Sequence, residues 1–223
     1  MRLIFLLALL WCSNTACAQK NKEVTMTGNN IFKAAANNDT AAIQRALSDR
    51  ALLETRDADG RTPLMVATYH HQAAAAQVLI SAGANVNAQD NMQDSPFLYA
   101  GAEGYADILK MCMAAGADYK VYNRYGGSAL IPACERGHID VISLILADKN
   151  FPLNHINRLG WTALLEAVIL GQGGATHQQV VKMLIAAGAD VNIGDKDGIT
   201  ALQHAKKRGY TAIVAMLQQA GAK

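Results

Sequence analysis

The sequence predicts an all-α helical solenoid: short helix-turn-helix units joined by projecting turns and stacked in one direction. Three observations predict it. The text Asp57-Ala58-Asp59-Gly60-Arg61-Thr62-Pro63-Leu64 recurs toward the C-terminus, with Asp57 and Asp90 standing 33 positions apart. A period of that length, written as a turn and two helices, belongs to repeat architectures. A hydroxyl stands where the first helix of each unit begins, at Thr62, Ser95, Ser128, Thr162 and Thr200. Gly83, Gly116, Asn150, Gly188 and Gly221 stand where the second helix ends, and both residue types suit a left-handed stop.

In chain order, residues 1–18 read as a signal peptide. Arg2 is followed by an apolar run from Leu3 to Trp11, and Ala16-Cys17-Ala18 gives a small-x-small ending with cleavage after Ala18. The run is well short of the ~20 residues a membrane helix needs, so no stable span is expected. The mature chain is expected in the periplasm or secreted. Cys17 raises lipid attachment as an alternative, although Asn14 stands where a lipobox carries a branched apolar residue.

Residues 19–28 are polar and aperiodic, a flexible lead-in. Residues 29–56 form an N-terminal cap: Ile31, Phe32, Ala35 and Ala36, then Ala42, Ile43, Ala46 and Leu47, make two helical stripes with polar residues between them. A polar outer face keeps the end of a solenoid soluble. In the unit 57–89, Gly60 is free to take positive φ, Thr62 caps the first helix and Pro63 fits the first helical position, where its missing N–H costs nothing. Units 90–122, 123–156 and 157–194 repeat the plan, and 195–223 closes the array as a C-terminal cap repeat.

With Gly83-Ala84-Asn85-Val86-Asn87 and Gly188-Ala189-Asp190-Val191-Asn192 added to the opening motif, the chain from about Asn30 to Lys223 resembles the ankyrin repeats. One departure stands out. The histidine that usually follows Thr-Pro-Leu is Met65, Tyr99, Ile131, Leu165 and Gln203 here, so stability is expected to rest more on packing. Spacing also drifts: Gly60, Gln93 and Gly126 are 33 apart, Gly126 and Gly160 34, and Gly160 and Gly198 38. The extra residues fall around Gly171 to His177, between two helices, where an insertion is expected to protrude.

A net charge of +2 gives no electrostatic case for nucleic acid. The resemblance implies a non-catalytic scaffold, a monomer without cofactor or metal, that binds a protein partner through its turns and first helices. Carried over by position, the candidate partner-binding residues are Tyr69, Arg124, Tyr125, Arg136, Arg158, Leu159, Trp161, Lys196 and Ile199. On that face the first two units hold Asp59, Asp94 and Glu103 against Arg61. The later ones hold Arg124, Arg136, Arg158, Lys196, Lys207 and Arg208 against Glu135 and Asp197. A basic, aromatic C-terminal surface is therefore expected, with Arg158 and Trp161 as anchors, since arginine and aromatic residues most often dominate binding energy. The competing reading makes Trp161 a cover for its neighbouring turn and the arginines a solvated face.

Two further classes stay open. One is an inhibitor or immunity protein that places the basic patch or the Gly171 to His177 loop in an effector's cleft. The other is a thiol- or histidine-dependent enzyme. His70 and His71 are adjacent on a helix and do not face each other as i and i+4 do, which argues against a metal pair. His138 is expected to be structural, while His155 and His177 are free to be exposed. Cys112 and Cys134 fall at core positions of adjacent units, as small apolar residues or as a disulfide.

Overall fold

Each projecting turn hangs on one side-chain oxygen. Asp57 Oδ1 accepts the N–H groups of Asp59 and Arg61, both at 2.9 Å. Asp90, Asn123, Asn157 and Asp195 repeat the device; Asn157 Oδ1 takes Leu159 N at 2.9 Å and Trp161 N at 3.0 Å. Short polar side chains form such turns readily because they bond their own backbone two residues on. The fourth turn residue is left-handed in every case: φ is 75° at Gly60, 61° at Gln93, 70° at Gly126, 87° at Gly160 and 75° at Gly198.

This computed structural model describes residues 30–223, so the expected leader and lead-in lie outside the described residues. Helix α1 (30–36) pairs with α2 (Thr40–Ala46), and a short 3-10 turn (Arg50–Leu52) follows. The first helices of the later units are α3 (Pro63–Tyr69), α5 (Pro96–Glu103), α7 (Leu130–Arg136), α9 (Ala163–Ile169) and α11 (Ala201–Lys207). Their second helices are α4 (Ala73–Ser81), α6 (Ala106–Ala114), α8 (Ile139–Ala147), α10 (Ala175–Ala186) and α12 (Thr211–Gln219).

Hydroxyl caps start four of the five first helices. Thr62 Oγ1 accepts Met65 N at 3.2 Å, Ser95 Oγ accepts Leu98 N at 3.3 Å, and Thr162 Oγ1 accepts Leu165 N at 3.2 Å. Thr200 and Gln203 cap each other reciprocally. The register puts Leu98, not Tyr99, at the position where the family carries histidine; Tyr99 is one residue further along the helix.

Ser128 departs from the expected cap. In the other units the fifth residue returns its N–H to the cap carbonyl, as Val66 does to Thr62 O at 2.9 Å. Here that residue is Pro132, which has no N–H to give. Ile131 N bonds the Ser128 carbonyl instead at 3.3 Å, and α7 starts from Ala129 without a side-chain cap.

Gly83, Gly116, Gly188 and Gly221 are left-handed as expected, but Asn150 is not. The chain leaves α8 through an extended Asp148. The carboxylate of Asp148 then accepts Asn150 N at 2.9 Å and the Tyr119 hydroxyl at 2.7 Å, taking over the turn.

Two helical layers result. First helices stack in the order α3, α5, α7, α9, α11, and second helices in the order α2, α4, α6, α8, α10, α12. Leu64, Leu79, Leu109, Leu130, Ile145 and Leu165 are among the fully buried side chains between them. Each such burial contributes roughly 1.5–3 kcal/mol, which no single helix pair could reach alone. Side chains also stitch unit to unit: Glu54 Oε1 accepts Asn85 N at 2.8 Å, Asn87 Oδ1 accepts Asp118 N at 2.8 Å, and Asn192 Oδ1 accepts Lys223 N at 2.9 Å.

The fifth unit does not project its insertion. Residues Ala175 to His177 extend α10 to 12 residues, against nine in α4, α6, α8 and α12. The Gly171 carbonyl accepts the Tyr210 hydroxyl at 2.9 Å and Arg208 Nη2 at 3.2 Å. His177 is buried, with Nε2 2.8 Å from the Glu135 carbonyl. A side chain at Gly171 would meet the Ala167 carbonyl at 2.1 Å, so the segment lies flat because glycine permits it.

Among the five projecting turns, the one at Gln93 alone places a residue other than glycine in the left-handed position, a conformation that costs an L-residue roughly 1–2 kcal/mol. Gln93→Gly is expected to stabilise the protein by about 1 kcal/mol after glycine's own entropy loss. Chemical denaturation of the two proteins measures it.

Candidate partner-binding groove

The turns and first helices line one side of the solenoid, and that side carries the exposed apolar surface. Among the described residues the large hydrophobic side chains that stand exposed are Tyr69, Met92, Tyr125, Ile156, Leu159, Leu170 and Ile199. Met92, Tyr125, Leu159 and Ile199 sit on turns, Tyr69 and Leu170 at first-helix ends, and Ile156 in the segment entering a turn. Second helices contribute none of them.

The expected anchors divide. Tyr125 is 53% and Leu159 47% exposed, at the tips of successive turns. Tyr69 is exposed too, with its ring centroid 5.2 Å from that of Tyr99. Trp161 is half-buried and packed against the core, as a cover for its turn. Arg158 lies over Gly126, and its Nη1 donates to the Arg124 carbonyl at 2.7 Å, clamping one turn to the next. Lys196 likewise lies over Gly160.

Two of the arginines expected to form a basic surface have acidic partners, while Arg158, Lys196, Lys207 and Arg208 stand exposed without one among the described residues. Arg124 Nη1 lies 3.4 Å from Asp94 and its guanidinium 4.7 Å from the Tyr125 ring centroid. Arg136 Nη1 lies 2.6 Å from Glu103 and also donates to the Ala102 carbonyl at 2.8 Å. Both pairs join neighbouring units. Arg124 and Arg136 are thus tied to the preceding unit, and the Gly171 to His177 segment is held down at both ends rather than protruding.

Between the second, third and fourth turns the groove deepens into a cavity of about 340 Å³. Tyr125 and Leu159 form its rim, Tyr99, Ile131 and Pro132 its walls. At the same cavity lies Glu166, whose residue is 7% exposed. Its Oε2 is the one buried side-chain oxygen or nitrogen without a hydrogen-bond partner among the described residues. Burial, with repulsion from Glu135, pushes its pKa up to about 7. Tyr99 is likewise pushed up to about 12 by burial and by Glu103, so its hydroxyl stays a donor. With Arg124 and Arg136 paired, the cavity's uncompensated charges are Glu135 and Glu166.

The family model described as Ankyrin repeats (3 copies) matches residues 4–90 and 97–195. The chain belongs to the ankyrin repeat family. A solved ankyrin repeat domain from Acinetobacter baumannii AYE is similar at 56% identity and a TM-score of 0.83, covering 86% of this chain and 98% of that one. The ankyrin repeat protein EF0377 is similar at 41% identity and a TM-score of 0.81, covering 85% and 96%. YahD of Escherichia coli (strain K12), named as an ankyrin repeat protein, is 41% identical over 78 residues. That stretch spans 35% of this chain and 39% of YahD.

Within this ankyrin repeat protein the two described cysteines and four of the histidines pack against or bond to neighbouring parts of the scaffold. Cys112 and Cys134 are free and fully buried, which removes the disulfide alternative and pushes both thiols up, Cys112 to about 12. A thiol so raised is a poor nucleophile. His155 Nε2 lies 2.6 Å from the Gly126 carbonyl and His138 Nε2 3.2 Å from that of Ala102, so His155 and His177 are not the free histidines expected. His71 stacks on Tyr105 at 3.8 Å and meets Asp107 at 3.1 Å.

Sequence comparison of turns and caps missed Glu166 and Tyr99. Both occupy the fourth position after the cap, which reads Val66, Tyr99, Pro132, Glu166 and His204 across the units. An acid at a position that elsewhere holds apolar or aromatic residues was the available signal.

A carboxyl whose pKa rises on folding favours the folded state only while protonated. Stability is therefore lost as pH climbs from the unfolded value of about 4.5 through about 7. Glu166→Gln is expected to melt close to the wild type at pH 5 and above it at pH 8. Thermal unfolding at the two pH values measures the difference.

Proposed function

We propose that this ankyrin repeat protein is a non-catalytic interaction scaffold of the periplasm or secreted space, binding a protein partner along the groove of turns and first helices. The observation that carries the reading is the segregation of exposed apolar side chains to that face, with Tyr125 and Leu159 at its centre. Large apolar side chains kept in water along one face mark an interaction surface, whereas residues scattered over every face need no explanation. The turns are held by their own Asx oxygens and by clamps such as Arg158 to Arg124, so little order remains to be gained on binding. Export rests on the sequence of residues 1–18.

Affinity capture from the periplasmic and extracellular fractions tests both parts. Recovery of the partner is expected to fall at least tenfold when Tyr125 and Leu159 are both changed to alanine, as for central aromatic and apolar anchors. Mass spectrometry is expected to place the captured chain's N-terminus at Gln19. Recovery unchanged by the double substitution contradicts the groove, and a retained leader contradicts export.

A further inference from the structure

We propose that the cavity at Glu166 is a specificity pocket for a basic side chain, lysine or arginine, of the protein partner. The inference rests on the groove being the binding face and adds what its deepest point recognises. Glu166 is more than nine-tenths buried, lines the cavity, and leaves Oε2 without a hydrogen bond. Leaving such an oxygen unmet costs the full desolvation of the group, so its natural complement is a donor supplied from outside.

Charge chooses the donor. Every basic group at the cavity is already engaged, Arg124 by Asp94 and Arg136 by Glu103, while Glu135 adds a second negative charge beside Glu166. On α11 the equivalent position is His204, held 2.7 Å from Asp195. No cation of the described chain meets Glu166. A neutral donor would satisfy Oε2 but leave the repulsion between two carboxylates, whereas an ammonium or guanidinium answers both.

Shape agrees. Tyr125 and Leu159 stand exposed at the mouth and present apolar surface along which a long methylene stem packs while its head reaches the carboxylates. A cavity of about 340 Å³ suits one inserted side chain better than a large ligand. Seating a cation also draws Glu166 into its ionised form, so binding expels a proton in the range where the free carboxyl is protonated.

The test titrates full-length folded protein with blocked pentapeptides, acetyl-Ala-Ala-Xaa-Ala-Ala-amide, where Xaa is arginine, lysine or citrulline. Amide shifts of Tyr125, Leu159 and Glu166 are followed at pH 8 and pH 5.5. Arginine and lysine peptides are expected to bind, at least tenfold more weakly at pH 5.5. Citrulline, which keeps arginine's shape without its charge, and Glu166→Gln are each expected to weaken binding at least tenfold, with a smaller loss for Glu135→Gln. Circular dichroism confirms that both variants are folded. Equal binding of citrulline and arginine, no binding by any peptide, or unchanged affinity in Glu166→Gln overturns the pocket. If partner recovery needs Tyr125 and Leu159 but ignores Glu166→Gln, the pocket fails and the scaffold stands. Recovery indifferent to all three residues means the scaffold reading itself fails.

Discussion

A single side-chain carbonyl or carboxylate oxygen at the head of each turn governs how the solenoid is built. Asp57, Asp90, Asn123, Asn157 and Asp195 each bind the N–H groups two and four residues ahead, and the cap residue of the first helix comes immediately after. Turn geometry therefore fixes the direction in which each first helix leaves. Because the units are stacked, it also fixes where the next turn lands: Asn91 N reaches the Asp59 carbonyl at 3.0 Å and Arg158 N the Tyr125 carbonyl at 2.8 Å. The groove is the sum of these local decisions.

How much of this was legible in the sequence depends on whether the cause was local. Period, caps and left-handed stops are written within one unit and read correctly at Thr62, Ser95, Thr162, Thr200 and four of the five helix ends. Ser128 and Asn150 misled because a neighbour intervened, Pro132 by lacking a donor and Asp148 by bonding Tyr119. The inserted residues looked like a protruding loop because the bonds that hold them down come from Arg208 and Tyr210 in the next unit and from the Glu135 carbonyl in the previous one.

The same division runs through the site. Tyr125 and Leu159 stand exposed because turn tips are exposed, and position alone reveals that. The pairing of charge on the face does not emerge from counting within units, since Arg124 and Arg136 are matched by acids in the preceding unit. Half-exposed pairs of that kind contribute roughly 0–1 kcal/mol each. An unpartnered buried carboxylate weighs several times more, which makes Glu166 rather than the arginines the electrostatic centre of the groove. Seen on one repeat it is a polar residue in a helix; only the stacked neighbours bury it.

The central claim is that recognition occurs on the turn and first-helix face. Hydrogen exchange of the protein, alone and in complex with its captured partner, addresses that directly. Protection is expected to rise in the turns and first helices from α5 through α9, at Tyr125 and Leu159 above all, with the outer helices α4, α6, α8 and α12 unchanged. Protection gained on the outer helices while the groove amides exchange as in the free protein would contradict the account.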